Sequence, residues 1–436
     1  MAEAARRAGP LIGAPGWRLA IIFTLYAYQG LVAGFALTAL PNHFAALGAT
    51  AQAVGAHVAM VGLPWILQPL WGPVVDRFGG FAMGRRRFWL VAGLGSSLLA
   101  LSRLLLVEDA SPAGLPAISA VFLVQSAFAA LTDTATDGMI IDHTPAETLG
   151  TANAVTRMGF VGGGALGATL FAWSLPALGL HNSVLILLAI GSAALILPLL
   201  VREGPGDARL SLRLAPRRAI AHGFGPLLRR LAESLSGRRT LLLLAFCFTT
   251  DAAAAIFRLP LSVDLIQSRG WEAEALSRFQ AAAALVTGTG GALLVGWWTD
   301  RAGAGPTLAV LLGLCALSHA GAAALLLVPD PGWAALAGPV ALGLSTVMPA
   351  LLFVALAPAV MQASHGPAAA TRFALFMASL NMGDVTGSAV AGQAAALVGL
   401  PLLGLGAGAV FLLAASVAAA LVPRAPGDAS GPSPGG

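Results

Sequence analysis

Lysine is absent from this chain: all 24 basic residues are arginine, a bias that points to a GC-rich genome more than to a physical requirement. Charge of either sign is scarce, 10% of residues against roughly 25% in a typical soluble domain. Apolar residues make up 57% of the 436, and the mean hydropathy is +0.83. So few charges cannot cover a water-soluble surface of this size, which excludes soluble enzymes and nucleic-acid-binding domains. The isoelectric point near 10.4 then reads as the basic excess that anchors a membrane protein on its cytoplasmic side. The two cysteines, Cys247 and Cys315, lie inside apolar segments and offer neither a disulfide framework nor a metal spacing. The seven histidines are scattered and form no H-x-x-x-H motif, so the sequence predicts no metal, no cofactor and no enzymatic centre.

What the chain does have is long apolar runs. Twelve spans of ~20 residues would use ~240 residues, which fits this length. The candidates are Trp17–Leu40, Gln52–Val75, Phe88–Val107, Leu115–Ile141, Thr151–Ser174 and Ser183–Val201, then Thr240–Ile266, Ser277–Trp298, Pro306–Val328, Trp333–Met361, Thr371–Val398 and Leu402–Val422. The first run is too long for a signal-peptide core and lacks an A-x-A site, so it is expected to be retained. The sequence thus predicts an all-α polytopic membrane protein of twelve transmembrane helices. Residues 1–16 form an N-terminal segment, 17–201 one six-helix half, 202–239 a polar linker, 240–422 the second half and 423–436 a disordered tail. With the N-terminus inside, 19 of the 24 arginines fall on the cytoplasmic side, nine of them between Arg202 and Arg239. That bias predicts a bacterial inner-membrane protein with both termini in the cytoplasm.

The halves carry a repeat. Gly72-x-x-x-Asp76-Arg77-x-Gly79 recurs as Gly296-x-x-x-Asp300-Arg301-x-Gly303, and Met158-Gly159-x-Val161-x-Gly163 recurs as Met382-Gly383-x-Val385-x-Gly387. Both recur at an offset of 224 residues, which argues for a duplicated six-helix unit in parallel orientation. Parallel repeats about an axis along the membrane normal are one transporter layout, with substrate held between them near the midplane.

The segment Gly72–Arg87 and its counterpart Gly296–Gly303 resemble the loop between the second and third helices of the major facilitator superfamily. The wider block Leu63–Leu90, preceded by Tyr28-Gln29-Gly30, resembles the branch of AmpG-type muropeptide permeases, acetyl-CoA transporters and siderophore permeases; Thr371–Asp384 adds to it. Twelve spans make the chain more similar to the siderophore permeases than to the longer muropeptide permeases. Gln68 departs from that branch, where lysine is usual. The resemblance implies alternating access, with Gly72, Asp76, Arg77, Asp300 and Arg301 in a gating latch together with Arg85, Arg86 and Arg87. For the arginine triplet a plain membrane anchor is an equal reading.

The charges left inside the spans form the functional shortlist. Asp133 and Asp137 are i,i+4 on the fourth span and share a face; Asp137 could pair with Arg157 of the fifth. Three carboxylates there, counting Asp142, against one arginine leave at least one free to exchange a proton. Asp251 and Arg258, seven residues apart on the seventh span, face the same way. Each charge at a helix centre costs ~2.5–3.5 kcal/mol on insertion scales, so this stripe belongs in a water-filled cavity rather than against lipid. Asp384 lies midway along the eleventh span, where a partner such as Arg258 is the alternative to a proton role. Tyr26 and Gln29 on the first span could line the cavity or form a helix contact. The glycine runs at 162–164 and 288–291 suggest close helix packing. The expectation is therefore a monomeric, proton-coupled transporter with Asp251, Asp384, Asp133 and Asp137 as proton carriers. Tyr26, Gln29 and Arg258 would bind a siderophore-like organic solute. A muropeptide permease is the alternative reading, and a non-transporting assembly factor of the same fold a further one. Its partners are a small-molecule substrate, the proton and the bilayer, with no nucleic acid.

Overall fold

The computed structural model describes residues 11–108, 110–145, 149–214, 229, 237–328, 331–363 and 369–421. Among them, regular structure is helical apart from two isolated bridges, Leu11 with Arg202 and Phe81 with Leu214. Among the described residues, ten helices are long and apolar enough to cross a membrane. One of these, within Leu149–Leu200, contains Gly179 at φ 79° and ψ 170°, so it is two helices joined at a kink and supplies the fifth and sixth spans. The eleventh, Ala369–Val398, is a 30-residue helix that carries Arg372 and Asp384. An all-α polytopic fold is thus what forms, and these helices are consistent with twelve spans.

Proline shapes several of them. The first span, Pro15–Ala46, holds a π-turn at Phe35–Ala39, where Pro41 lacks the N–H that would close a regular bond to residue 37. The second span starts at Ala51 with Thr50 as its cap, the hydroxyl accepting from the Ala53 amide at 3.2 Å. It is interrupted by the 3₁₀ turn Gln68–Leu70 between Pro64 and the helix Trp71–Arg77.

The chain divides into two compact units. One comprises Met1–Arg229 with Ile266–Leu285, the other Arg230–Leu265 with Val286–Gly436. The repeated glycine motif does the same work in each. In the first unit, a Cβ on Gly163 would collide with the Ala27 backbone, one on Gly167 with Leu31, and one on Gly30 with Phe160 and Gly164. The first and fifth spans therefore cross in backbone contact. In the second, Gly383 and Gly387 lie against the backbone of Phe248 and Ala252 on the seventh span, Arg238–Gln267. Small residues at a crossing let helices approach where lipid supplies no hydrophobic drive between them. The run at 288–291 is different. It forms a π-turn, Thr287–Gly291, in which a Cβ on Gly290 would meet nothing and one on Gly291 would crowd the movable Leu351 side chain, with no backbone closer than 3.6 Å.

This packing has a sharp consequence. Gly163→Leu forces a side chain into immovable backbone and is expected to cost at least the ~1–3 kcal/mol of ordinary overpacking. Gly162→Ala, which faces open space, should leave the melting temperature of the purified protein unchanged or slightly raised.

At one end of the first unit the arginine triplet organises the start of the third span, Arg87–Leu106. The Glu203 carboxylate accepts from the backbone amides of Arg85 at 3.0 Å, Arg86 at 2.6 Å and Arg87. It thus satisfies the orphan donors of that helix and sits at the positive end of its dipole. Arg86 pairs with Asp142 at the end of the fourth span at 2.8 Å. The Arg87 guanidinium, only 2% exposed, donates to the carbonyls of Met83, Pro198, Leu199, Ala208 and Arg209. These partners of Arg86 and Arg87 all belong to the first unit. The side chains of Asp76, Arg77 and Asp300 lie outside the described set; Arg301 rests over the Trp297 ring at 4.0 Å.

Candidate functional site

In the first unit, four of the residues singled out from sequence converge. Asp133 and Asp137 occupy successive turns of the fourth span, Leu115–His143. The Tyr26 hydroxyl, from the first span, donates to Asp137 Oδ1 at 2.6 Å. Gln68 Nε2 donates to Asp133 Oδ2, and Gln29 and Tyr26 flank the same carboxylate. Asp133 is buried and Asp137 one turn along is exposed, so the two carboxylates lead from an accessible position into the helix bundle. Among the described residues no ion pair reaches either of them. Asp137 is tied to the first span by Tyr26, where the sequence suggested a tie to the fifth by Arg157.

Gln68 is the residue that sequence reasoning left out of the site. Its only signal was the departure from lysine in the resembling branch. The 3₁₀ turn that breaks the second span carries Gln68 and places its amide on Asp133. A neutral donor there holds the carboxylate without neutralising it, so the site can accept a proton without first dismantling an ion pair.

In the second unit Arg258 meets Asp384 across the seventh and eleventh spans at 3.2 Å. This is the partner the sequence offered as the alternative for Asp384. Both side chains are more than a third exposed, so solvent or a solute reaches the pair. Asp251, two turns before Arg258, lies within electrostatic range of both charges. His319 of the ninth span, Ala304–Leu326, is fully buried between the rings of Phe257 and Phe411 at 5.6 and 4.9 Å. Its Nδ1 donates to the Cys315 carbonyl at 2.8 Å.

A further polar set, also unread from sequence, lies in the first unit. Asn42 donates to Ser277 and Gln280, each at 2.8 Å, and Gln267 donates to the carbonyls of Ala45 at 2.9 Å and Ala49 at 2.7 Å. These four bonds hold the end of the first span to Ile266–Leu285. That explains why this stretch groups with the first unit and not with the rest of the seventh and eighth spans.

Similar proteins agree with this architecture. Over 168 residues the chain is 29% identical to a folate-biopterin transporter of Synechocystis sp. (strain ATCC 27184 / PCC 6803 / Kazusa), a match covering 38% of this chain and 32% of that protein. The chain thus matches about a third of the relative's length. The nucleoside transporter NupG, as a D323A mutant, superposes with a TM-score of 0.67 at 15% identity, over 93% of this chain and 99% of that one. The xylose transporter XylE from E. coli, in a partially occluded inward open conformation, superposes with a TM-score of 0.65 at 14% identity, over 93% and 100%. Likenesses at such identity speak to the fold. The family model for the Major Facilitator Superfamily matches residues 22–369, most of the chain. The chain therefore belongs to the Major Facilitator Superfamily and, with its long apolar helices, is a multi-pass membrane protein.

Proposed function

We propose that this protein is a proton-coupled secondary transporter working by alternating access, with parallel six-helix halves and both termini in the cytoplasm of a bacterial inner membrane. The observation that carries the coupling is the pair Asp133–Asp137, held by the neutral donors Gln68 and Tyr26. A carboxylate with no cation beside it can load and release a proton as its access to water changes. In the second half the candidate carriers are Asp251 and Asp384; neither repeats Asp133 or Asp137 at the 224-residue offset, and Asp384 has to leave Arg258 before it takes up a proton.

Arg258 supports an anionic organic solute, siderophore-like by the branch resemblance. Its ion pair with Asp384 is open to exchange: a solute carboxylate or a proton on Asp384 would each release one partner to the other's competitor. Folate- or biopterin-like solutes are the second reading, favoured by the partial match to the folate-biopterin transporter.

Uptake into proteoliposomes tests the substrate reading, with ferric hydroxamate and catecholate siderophores, an anhydromuropeptide, folate and biopterin as the panel. Arg258→Gln should weaken uptake of the active anionic solute on the order of tenfold or more, as expected for loss of a charged hydrogen bond. Arg258→Lys should recover part of it. Uptake unaffected by Arg258→Gln would remove this residue from recognition.

A further inference from the structure

The stretch Arg202–Leu214 follows the sixth span and is fixed in place at several points. The Ile12 amide donates to the Arg202 carbonyl at 2.8 Å, Ala208 to Ala82 at 2.9 Å, and Ala82 to Arg213 at 2.9 Å. Arg87 sets its depth. That guanidinium grips the Ala208 and Arg209 carbonyls at 2.9 and 2.8 Å, and the same group grips Pro198 and Leu199 at the end of the span Ala154–Leu200. Arg87 itself opens the span Arg87–Leu106. Residues 208 and 209 are therefore level with two span ends, at the boundary between hydrocarbon and water.

From that anchored level the chain continues as Arg209-Leu210-Ser211-Leu212-Arg213-Leu214. Leu210, Leu212 and Leu214 are 73%, 82% and 66% exposed, and both arginines are exposed. Beside them, Phe81 stacks on Phe88 with ring centroids 3.4 Å apart, and Trp89 meets both rings edge-on at 6.1 and 5.2 Å. Aromatic rings at a span end are typical of the membrane interface. Three neighbouring leucines in water would form an exposed apolar patch with no purpose, whereas at this depth acyl chains lie alongside them.

Charge identifies the lipid. The stretch 202–239 holds nine arginines against Glu203, Asp207 and Glu233. Glu203 is occupied by the three amides at the start of the third span, and Asp207 accepts from the Gly204 amide at 2.7 Å. A strap carrying exposed arginine next to exposed leucine complements a surface with phosphate outside and hydrocarbon beneath. We propose that Arg209–Leu214 is a lipid-binding strap: the leucines enter the acyl boundary, and Arg209 and Arg213 bind the phosphates of anionic lipids. This site is separate from the carboxylates and Arg258, and it does not depend on what the protein transports.

The two native cysteines are buried, so Leu212→Cys in the full-length protein gives a selective site for an environment-sensitive fluorophore. The labelled protein is reconstituted into phosphatidylcholine vesicles with or without phosphatidylglycerol. Leu99→Cys, at a 65% exposed position within the third span, serves as the lipid-embedded reference. In phosphatidylglycerol vesicles, quenching by doxyl-labelled lipid should approach that at the reference, and aqueous iodide should quench little. Doxyl quenching should fall several-fold in phosphatidylcholine alone, and Arg209→Gln with Arg213→Gln should abolish the difference between the two vesicles. Strong iodide quenching with no doxyl quenching in either vesicle would overturn the proposal. So would protection from both quenchers, which would mean that protein covers the leucines, and so would doxyl quenching indifferent to lipid charge.

Discussion

Arg87→Gln is expected to cost ~3 kcal/mol or more of stability, the scale on which breaking a buried charged network falls. The Arg87 guanidinium serves five backbone carbonyls from three separate stretches of chain. Two of those carbonyls, Pro198 and Leu199, end a helix and have no intrahelical donor to return to. Each buried carbonyl left unpaired costs ~1–3 kcal/mol, so even partial re-solvation leaves a deficit. Thermal unfolding in detergent should show a melting temperature lower by on the order of 5–10 °C. Arg87→Lys should recover only a fraction, because an ammonium has three donors around a point and cannot span a planar fork of five. A melting temperature unchanged by Arg87→Gln would mean that water replaces the guanidinium at no cost.

The second large effect concerns transport. Asp133→Asn keeps the size of the side chain and can still accept from Gln68 through its carbonyl oxygen, so the fold should survive. An amide cannot load a proton. Solute accumulation driven by an imposed pH gradient should fall to the passive level, while exchange of labelled for unlabelled solute persists. Tyr26→Phe removes the donor at 2.6 Å from Asp137 without touching either carboxylate. It should slow accumulation less than Asp133→Asn, shifting its pH dependence without abolishing it. Equal accumulation by wild type and Asp133→Asn, at matched protein levels, would exclude Asp133 as a carrier.

Much of this was legible in the sequence because it rests on spacing along one helix. Span lengths follow from hydrocarbon thickness, and the glycine motif at an offset of 224 was visible before its crossings were. Asp133 and Asp137 share a face at i,i+4, and Tyr26 and Gln29 are one turn apart, so the candidates were on the page without the bonds between them. What could not be read depends on convergence of distant segments. Nothing near Gln68 in the chain shows that a 3₁₀ break turns it onto a carboxylate 65 residues away. Asn42 looks like a polar residue at a span end until Ser277 and Gln280 lie opposite it. The arginine triplet's bonds to the distant Glu203 carboxylate and to five backbone carbonyls are likewise advertised by no side-chain pattern. The glycines at 288–291 gave no hint of the π-turn they form, because the other π-turn, Phe35–Ala39, has no glycine at all.

Symport requires a proton to cross with each solute, carried on Asp133. Proteoliposomes loaded with a pH-sensitive dye, with no pH gradient imposed, report it directly when an active solute from the panel is added outside. For wild type the lumen should acidify in step with solute entry; Asp133→Asn should admit solute without acidification, or none at all. Solute entry in wild type with a constant internal pH would contradict it.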